Sequence, residues 1–162
     1  MPDTQSAPGI AAGNAVPDFD LPATSGQRVR LAGLHGKPFV LYFYPKADTS
    51  GCTQQAKDFQ EALDAAGKAA IPVIGVSKDP VKAIENFARK YDLRFPLASD
   101  ETGILLEAFG VWVQKSMYGR IYMGIERSTF LIGADGRVAQ AWRKVKVPGH
   151  AAAVLKAASL LD

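Results

Sequence analysis

The sequence predicts an α/β domain with a central mixed sheet and helices on both faces. In the first two thirds of the chain, short runs of β-branched and aromatic residues alternate with segments in which apolar residues recur every three or four positions. The last third contains two strand-like runs joined by a tight turn, and then a closing helical segment. The first pattern predicts parallel strands joined by helices, and the second adds antiparallel strands to the same sheet.

The composition indicates one globular domain, residues 1–162, in which residues 1–13 form a loose N-terminal leader. Of the residues, 48% are hydrophobic and 22% charged, and the net charge of +3 is spread along the chain, which argues against a nucleic-acid partner. The longest apolar stretch, 38–44, is much shorter than the roughly 20 residues that cross a bilayer. Because residues 1–13 also lack a signal sequence, we expect no membrane partner and a cytoplasmic location.

The first elements are a hairpin and a buried strand. Residues 18–21 and 28–31 have strand character and flank a cluster of turn-forming residues at 23–26, which predicts an added N-terminal hairpin. Residues 38–44 form a continuous β-branched and aromatic run, as expected for a central strand that is covered on both sides. Pro45 follows directly and ends this strand.

Two helices and a second buried strand follow. Residues 52–66 carry apolar side chains on one helical face, and Gly67 ends that helix. Residues 71–76 are another apolar run and predict a second strand. Asp79 and Pro80 predict the start of the next helix, with Asp79 as the N-cap and Pro80 at the first helical position.

The remaining elements complete the sheet. The pattern predicts strands at 95–98, 127–132 and 137–142 and helices at 102–109 and 148–161. Between the last two strands, Asp135 and Gly136 supply the positive φ values of a tight hairpin turn. This order of elements is the thioredoxin-like plan with an added N-terminal hairpin.

Cys52 is the single cysteine of the chain and the first candidate for chemistry. It lies between the end of the central strand and the start of a helix, where open α/β sheets place their functional sites. A thiol in the first helical turn faces free backbone N–H groups and the positive end of the helix dipole, and both favour the thiolate. The alternative is a buried small hydrophobic residue, which is what most free cysteines are.

The residues before Cys52 fit a reactive thiolate. Gly51 lets the backbone approach closely and adds an N–H group, and the hydroxyl of Thr49 can point into the same cup. Pro45 can wall the pocket and exclude water, while Tyr44 and Gly51 are our candidate substrate-binding residues. A metal centre and a cofactor are not expected, because one cysteine and two distant histidines form no ligand cluster.

Residues 44–53, Tyr-Pro-Lys-Ala-Asp-Thr-Ser-Gly-Cys-Thr, resemble the peroxidatic loop of peroxiredoxins, Pro-x-x-x-Thr-x-x-Cys. The resemblance is closest to the bacterioferritin-comigratory or peroxiredoxin Q subfamily. It runs from about Val16 to the C-terminus and includes IGVS at 74–77, FPL at 95–97, SD at 99–100 and ERSTFL at 126–131. It implies an AhpC/TSA-like protein of thioredoxin-like fold that reduces hydrogen peroxide and small organic hydroperoxides with a thiol donor.

The resemblance assigns a role to each matching residue. Cys52 is the peroxidatic nucleophile, and Thr49 is the hydroxyl that orients the peroxide. Pro45 shields the pocket, and Arg127 is the distant cation that completes it. These roles suit the chemistry, because attack on an O–O bond needs an anionic sulfur and donors for the charge on the departing oxygen. From the residues alone, Arg127 reads as an ordinary surface arginine on a strand.

The chain departs from the family pattern at the resolving cysteine. The positions that carry it in many relatives, five residues after the nucleophile or on the next helix, correspond here to Lys57 and Ala88. We therefore expect a one-Cys mechanism, in which thioredoxin, glutaredoxin or glutathione reduces the sulfenic acid of Cys52. Lys57 is expected to be a solvated lysine on the helix face. The protein is expected to be a monomer or a weak homodimer.

Two other functions use the same residues differently. In a redox sensor or interaction module, oxidation of Cys52 switches partner binding, and in an inactive scaffold or holdase the fold is kept without the chemistry. The presence of Thr49 and Arg127 together with the cysteine favours the enzyme. Outside the site, we expect packing roles for Trp112 and Trp142, a turn position for His35, and a place at the pocket mouth or a dimer face for Met117, Tyr118 and Tyr122.

Overall fold

The computed structural model describes residues 10–161, which form a mixed five-stranded sheet with helices and two further hairpins. The elements in chain order are β1 (Asp20–Pro22), β2 (Arg28–Arg30), α1 (Leu31–Leu34), β3 (Phe39–Phe43), α2 (Ser50–Ala66), β4 (Val73–Ser77), α3 (Val81–Lys90), β5 (Leu97–Ser99), α4 (Ile104–Ala108), β6 (Trp112–Met117), β7 (Arg120–Ile125), β8 (Ser128–Ile132), β9 (Val138–Trp142) and α5 (His150–Ser159). The strand order of the main sheet is β5-β4-β3-β8-β9. Strands β3, β4 and β5 are parallel to one another, β8 is antiparallel to β3, and β9 is antiparallel to β8. This mixed sheet confirms the predicted thioredoxin-like α/β fold.

The central strand β3 is buried on both faces, as its continuous apolar run predicts. Phe39, Leu41 and Phe43 point into a core that they share with α4 and the N-terminal hairpin. Val40 and Tyr42 point into a second core with α2, α3 and α5. Successive side chains of a strand alternate between faces, so helices on both sides can cover the same strand. In the described part of the chain, no helix has both the length and the apolar character of a membrane span.

The predicted N-terminal hairpin is confirmed by the antiparallel pairing of β1 with β2. Residues 1–9, which make up most of the predicted leader, lie outside the described residues. Residues 10–13 are bonded to the C-terminal half of the domain. The N–H of Gly13 donates to the carbonyl of Val138 at 2.8 Å, and Arg143 Nη2 donates to the carbonyl of Ile10 at 2.7 Å.

The structure corrects two local predictions. The N-cap of α3 is Pro80, in an extended conformation, and not Asp79. The carboxylate of Asp79 instead accepts a hydrogen bond from a distant backbone N–H, and this tertiary contact replaces the local cap. The β8–β9 hairpin is confirmed, but of Asp135 and Gly136 only Gly136 has positive φ. The side chain of Asp135 instead accepts the N–H of Arg137.

Strands β6 and β7 form a hairpin that the sequence pattern does not predict. They pair only with each other, from Trp112 opposite Ile125 to Met117 opposite Arg120. The turn residues Tyr118 and Gly119 both have positive φ, as a type I′ turn requires. Much of this ribbon is exposed, so its sequence lacks the clear alternation of a half-buried strand. We call residues 112–125 the hairpin arm.

Candidate active site

The connection from β3 to α2 places Cys52 in the first turn of a helix. Strand β3 ends at Phe43 and α2 begins at Ser50. Thr49 is the N-cap residue, and its carbonyl accepts the N–H of Thr53 at 2.8 Å. The side chain of Thr49 makes no capping hydrogen bond, so N–H groups of the first turn remain available to an anion. The side chain of Cys52 is only 2% exposed, and it is a free thiol.

Strand β8 brings Arg127 to this thiol. Ser128 pairs with Phe43 at the end of β3, which puts Arg127 beside the start of the connection that carries Cys52. Arg127 Nη2 lies 3.5 Å from Cys52 Sγ, although 75 positions separate the two residues in the sequence. Arg127 Nη1 donates to Gln55 Oε1 at 2.6 Å. The guanidinium therefore presents a permanent charge to the sulfur and keeps further N–H donors for a ligand.

Gln55 is a site residue that our sequence reasoning does not single out. It lies nearly one helical turn after Cys52 and is 1% exposed. Its Oε1 fixes Arg127, while within the described residues its Nε2 has no hydrogen-bond partner. A polar residue on the apolar face of α2, next to Ala56 and Phe59, is the signal that could have indicated this role.

Gly51 leaves space for the guanidinium. A Cβ at this position would lie 3.2 Å from Arg127 Nη2, the same nitrogen that faces Cys52. This is closer than a comfortable van der Waals contact. Gly51 therefore has a steric role as well as the N–H group that the sequence indicates.

Thr49 and Pro45 flank the thiol on the loop. The hydroxyl of Thr49 is exposed and donates to the carbonyl of Lys46 at 2.8 Å. Because this bond uses the hydroxyl proton, the oxygen can act toward a ligand as an acceptor. Pro45 is half-buried and lines a cavity of about 420 Å³ that extends to the hairpin arm, where Tyr122 and Met123 form the opposite wall.

Tyr44 lies beneath the site and not on an open surface. It is 1% exposed and its ring packs against Phe87 of α3, with the two ring centroids 6.2 Å apart. Burial raises the pKa of Tyr44, so the hydroxyl stays neutral. The structure thus places Tyr44 in the core that supports Cys52, and it does not place it among residues open to a substrate.

Two carboxylates fasten the loop to elements outside it. Asp79 Oδ2 accepts the N–H of Ala47 at 2.8 Å. Asp48, whose φ is 63°, accepts hydrogen bonds from the Tyr91 hydroxyl at 2.7 Å and from Lys90 Nζ at 3.0 Å. Both bonds lower the pKa of Asp48, and the bond from Tyr91 has the larger effect. The conformation of the loop therefore depends on the β4–α3 connection and on the end of α3.

Arg127 also acts on two titratable side chains nearby. Burial, with a smaller contribution from Arg127, lowers the pKa of His150 to about 4. The neutral imidazole lies with its Nε2 2.8 Å from the Thr129 hydroxyl oxygen. Burial and then Arg127 lower the pKa of Lys115, whereas Cys52 raises it. Lys115 therefore shares the electrostatic environment of the thiol.

The positions of a resolving cysteine hold other residues. Lys57 is exposed on α2, as expected, and Ala88 is half-buried on α3. Trp112 and Trp142 are also half-buried and pack against the two cores, as expected. Across residues 10–161, no group of three or more His, Cys, Asp and Glu side chains is placed to hold a metal ion.

The single thiol restricts the chemistry that this fold can perform. Dithiol exchange within one chain needs a pair of cysteines, and this chain has one. A lone thiolate next to a fixed guanidinium can instead attack an O–O bond, because the cation stabilises charge as it moves to the departing oxygen. Fold and site together define the class of thioredoxin-like thiol peroxidases.

Comparisons with known proteins give the same class and narrow it. The profile of the AhpC/TSA family matches residues 12–141. Peroxiredoxin Bcp of Xanthomonas campestris is 49% identical over 141 residues (86% of this chain, 88% of the relative), and peroxiredoxin Bcp of Bacillus subtilis is 44% identical over 147 residues (91% and 94%). A solved structure of Xanthomonas campestris peroxiredoxin Q has a TM-score of 0.84 at 45% identity and covers 91% of this chain and 96% of that one. The chain belongs to the AhpC/TSA family, and its relatives there are Bcp and peroxiredoxin Q proteins.

Proposed function

We propose that the protein reduces hydrogen peroxide and small organic hydroperoxides through a sulfenic acid on Cys52. The observation that carries this proposal is the 3.5 Å approach of Arg127 Nη2 to Cys52 Sγ, in a geometry that Gln55 fixes. Membership of the AhpC/TSA family and similarity to named peroxiredoxins support the peroxidase activity. The Xanthomonas campestris bacterioferritin comigratory protein, a structural relative of this chain, is described as having alkyl peroxide reduction activity. This supports organic hydroperoxides as substrates here.

In the first half of the cycle, the Cys52 thiolate attacks the terminal oxygen of the peroxide. The S–O bond forms as the O–O bond breaks, and the departing oxygen takes a proton from water to become water or an alcohol. Arg127 stabilises the thiolate first and the charge on the oxygens afterwards. The Thr49 hydroxyl accepts the O–H of the peroxide, and the N–H of Gly51 adds a donor at the helix start. Pro45 limits the access of water.

The cavity beside Pro45 suits the organic part of a hydroperoxide. Its volume is about 420 Å³, and the apolar side chains of Trp112, Tyr122, Met123 and Ile125 form part of its wall. The wall also carries charged side chains, which are Lys46, Lys78, Asp79 and Lys115. Hydrogen peroxide needs only the polar cup around the thiol. Organic hydroperoxides can in addition bury their carbon chain in this cavity, and burial of apolar surface favours their binding.

In the second half of the cycle, an external thiol must reduce the sulfenic acid, because the chain has no second cysteine. The thiol condenses with the sulfenic acid to form a mixed disulfide and water. A second thiol then breaks this disulfide and releases the Cys52 thiolate. Thioredoxin, glutaredoxin and glutathione are the candidate donors. A sulfenic acid that waits too long is oxidised further to the irreversible sulfinic acid.

Stopped-flow fluorescence of the reduced protein with hydrogen peroxide tests this proposal. We expect Cys52→Ser to abolish the reaction. We expect Arg127→Ala to slow it about 10- to 100-fold, because a hydrogen bond to a charged group contributes about 1.5–3 kcal/mol. The variant should stay folded, although its melting temperature should fall because the buried Gln55 Oε1 loses its hydrogen-bond donor. Wild-type reaction as slow as that of free cysteine would reject the peroxidase, and an unchanged rate in Arg127→Ala would reject the role of Arg127.

We further propose a cytoplasmic location and a monomeric or weakly dimeric state. The one-Cys cycle needs a steady supply of reduced thiols, and a compartment that is kept reducing provides it. Cell fractionation and light scattering of the purified protein check these two points. Recovery of the protein from an oxidising compartment, or a stable higher oligomer, would contradict them.

A further inference from the structure

The hairpin arm carries most of the exposed large apolar side chains of the described residues. Among residues 10–161, seven large hydrophobic side chains are strongly exposed, and five of these seven lie on the arm. These five are Met117, Tyr118, Ile121, Tyr122 and Met123, with exposures from 43% to 97%. The other two, Ile104 and Leu160, lie on separate helical segments. Isolated exposed apolar residues are ordinary, but a cluster on one short element indicates an interaction surface.

The arm is anchored at its base and otherwise uncovered. Val111 and Ile125 are buried in the core, and the N–H of Glu126 donates to the carbonyl of Val111 at 2.7 Å. Beyond this base, β6 and β7 pair only with each other, so each has an outer edge without a partner strand among residues 10–161. The protein core does not need the five exposed side chains, and water is a poor environment for them.

The arm is continuous with the active site. Tyr122 and Met123 line the cavity whose other wall includes Pro45 of the Cys52 loop. Arg127 follows the end of β7 by two residues. Lys115 of β6 is close enough for the charges of Arg127 and Cys52 to affect its protonation. A molecule that rests on the base of the arm is therefore close to Arg127 and to the loop that carries Cys52.

The charge of this region is positive. The arm has Lys115 and Arg120 and no acidic residue between positions 112 and 125. Lys46 and Lys78 lie on the other side of the cavity, where the one acidic wall residue, Asp79, is engaged with the loop backbone. The complementary partner has an apolar contact surface with acidic residues around it.

We propose that the hairpin arm is the docking surface for a small dithiol protein that reduces oxidised Cys52. This inference rests on the proposed one-Cys peroxidase cycle and locates the surface on which its protein reductant binds. Because Cys52 is 2% exposed, a donor must stay bound until the loop exposes the sulfur. The face of the arm that carries Lys115, Met117, Arg120 and Tyr122 is both apolar and basic and provides such a binding site for a protein. A partner with two cysteines completes the exchange while bound.

The proposed exchange is balanced within the complex. One thiolate of the partner attacks the sulfur of the Cys52 sulfenic acid, an S–S bond forms, and hydroxide leaves as water after protonation. The second thiol of the partner, as its thiolate, then attacks the partner's own sulfur in this mixed disulfide. Cys52 leaves as a thiolate, and the partner carries the two-electron oxidation away as an intramolecular disulfide.

The test is a double variant of the arm, Met117→Thr with Tyr118→Asn. Asparagine tolerates the left-handed conformation of position 118, and threonine is favourable in a strand. The matched control is Ile104→Thr with Leu160→Asn, which removes similar exposed apolar side chains elsewhere. Sulfenic acid is generated with one equivalent of hydrogen peroxide, and its reduction by thioredoxin, glutaredoxin, glutathione and dithiothreitol is followed separately.

We expect the arm variant to lose about tenfold or more in kcat/KM for thioredoxin or glutaredoxin, as removal of interface anchors does. Its reduction by dithiothreitol and its oxidation by peroxide should stay within about twofold of the wild type, and the control variant should match the wild type throughout. Arg120→Glu should slow reduction by the same protein most at low salt, because the long-range attraction is screened at high salt.

Three outcomes would overturn the inference. Equal kcat/KM of the wild type and the arm variant with both dithiol proteins would show that the arm is not their docking surface. Efficient reduction by glutathione alone, with neither protein active, would assign the reductant to another class. A dimer in light scattering that the arm variant dissociates would assign the surface to a second copy of this chain. Slow oxidation of wild-type Cys52 by peroxide is a different failure, because it rejects the proposed peroxidase itself.

Discussion

Replacing Gly51 with alanine is expected to make the protein more stable and the enzyme slower. Gly51 is the second residue of α2 and lacks the left-handed backbone that would exclude alanine. Alanine is favoured over glycine by about 1 kcal/mol inside a helix, and near the helix end we expect about half of this. The melting temperature should therefore rise by about 1–2 °C.

The loss of rate follows from the position of Arg127. The new Cβ would lie 3.2 Å from Nη2, so this nitrogen must move away by a few tenths of an ångström. Gln55 holds Nη1 at 2.6 Å and opposes a compensating rotation, and the contact with Cys52 Sγ is already 3.5 Å long. If about half of a charge-assisted contact of about 1.5–3 kcal/mol is lost, the cost is about 1 kcal/mol, or about fivefold in rate.

Stopped-flow oxidation of Cys52 by hydrogen peroxide measures the rate, and thermal denaturation measures the melting temperature. The matched control is Gly33→Ala in α1, where an added Cβ meets no atom within 4 Å. The control should gain stability without any change in rate. A wild-type rate in Gly51→Ala would refute the reasoning, since it would mean that the position of the guanidinium does not limit attack on the peroxide.

Other contacts predict effects on rate, pH dependence and stability. Gln55→Leu removes the acceptor that fixes Arg127. Stopped-flow measurements should therefore show that hydrogen peroxide oxidises Cys52 about tenfold more slowly. Between its ordinary pKa of 6.5 and the folded value of about 4, His150 is protonated only in the unfolded chain. As the pH falls through this range, the free energy of unfolding of the wild type should decrease by about 2 kcal/mol, after allowance for solvent screening. Urea denaturation at several pH values should show that His150→Gln lacks this decrease. Gly75→Ala would place a Cβ 2.9 Å from the Tyr42 hydroxyl, so urea denaturation should show a loss of about 2–3 kcal/mol.

Each of these predictions has its own control. Gln55→Glu keeps an acceptor for Arg127 and should retain more of the rate than Gln55→Leu, so equal rates for both would argue against a positioning role. Above pH 7.5 His150 is neutral in both the folded and the unfolded chain, so its titration no longer affects stability. If the difference in unfolding free energy between wild type and variant did not change with pH, titration of His150 would be excluded as its cause. For Gly75, unchanged stability would show that the buried tyrosine ring can move aside without cost.

The sequence was sufficient to predict those parts of the fold that local patterns determine. An unbroken apolar run defined β3, and apolar spacing with a terminal glycine defined α2, so the place of Cys52 at a helix start was predictable. The place of Arg127 was not predictable from local patterns, because it depends on the register of β8 against β3. Arg127 became a candidate only through the family resemblance. The role of Gln55 could not be predicted, because it depends on where Arg127 lies in the folded chain.

Residues with a choice between local and distant partners were harder to predict. Asp79 has the sequence context of an N-cap, but its carboxylate binds the N–H of Ala47 in the loop that leads to Cys52. The hairpin arm was missed because its exposed side chains give no burial pattern, and its Tyr118-Gly119 turn is not among the strong hairpin signals. Both cases depend on surroundings that are formed only in the folded chain.

The regular winding of α2 through Ser50–Ala66 has a consequence for the cost of each catalytic cycle. In a regular helix, the Cα atoms of residues five positions apart are about 8.7 Å from each other, beyond the roughly 7 Å that a disulfide can span. A relative with a cysteine at the place of Lys57 must therefore unwind this segment in every turnover to close its disulfide. Here no such bridge has to form within the chain, so exposing Cys52 to a donor requires movement only at the start of the helix, and the turn that contains Lys57 can remain wound.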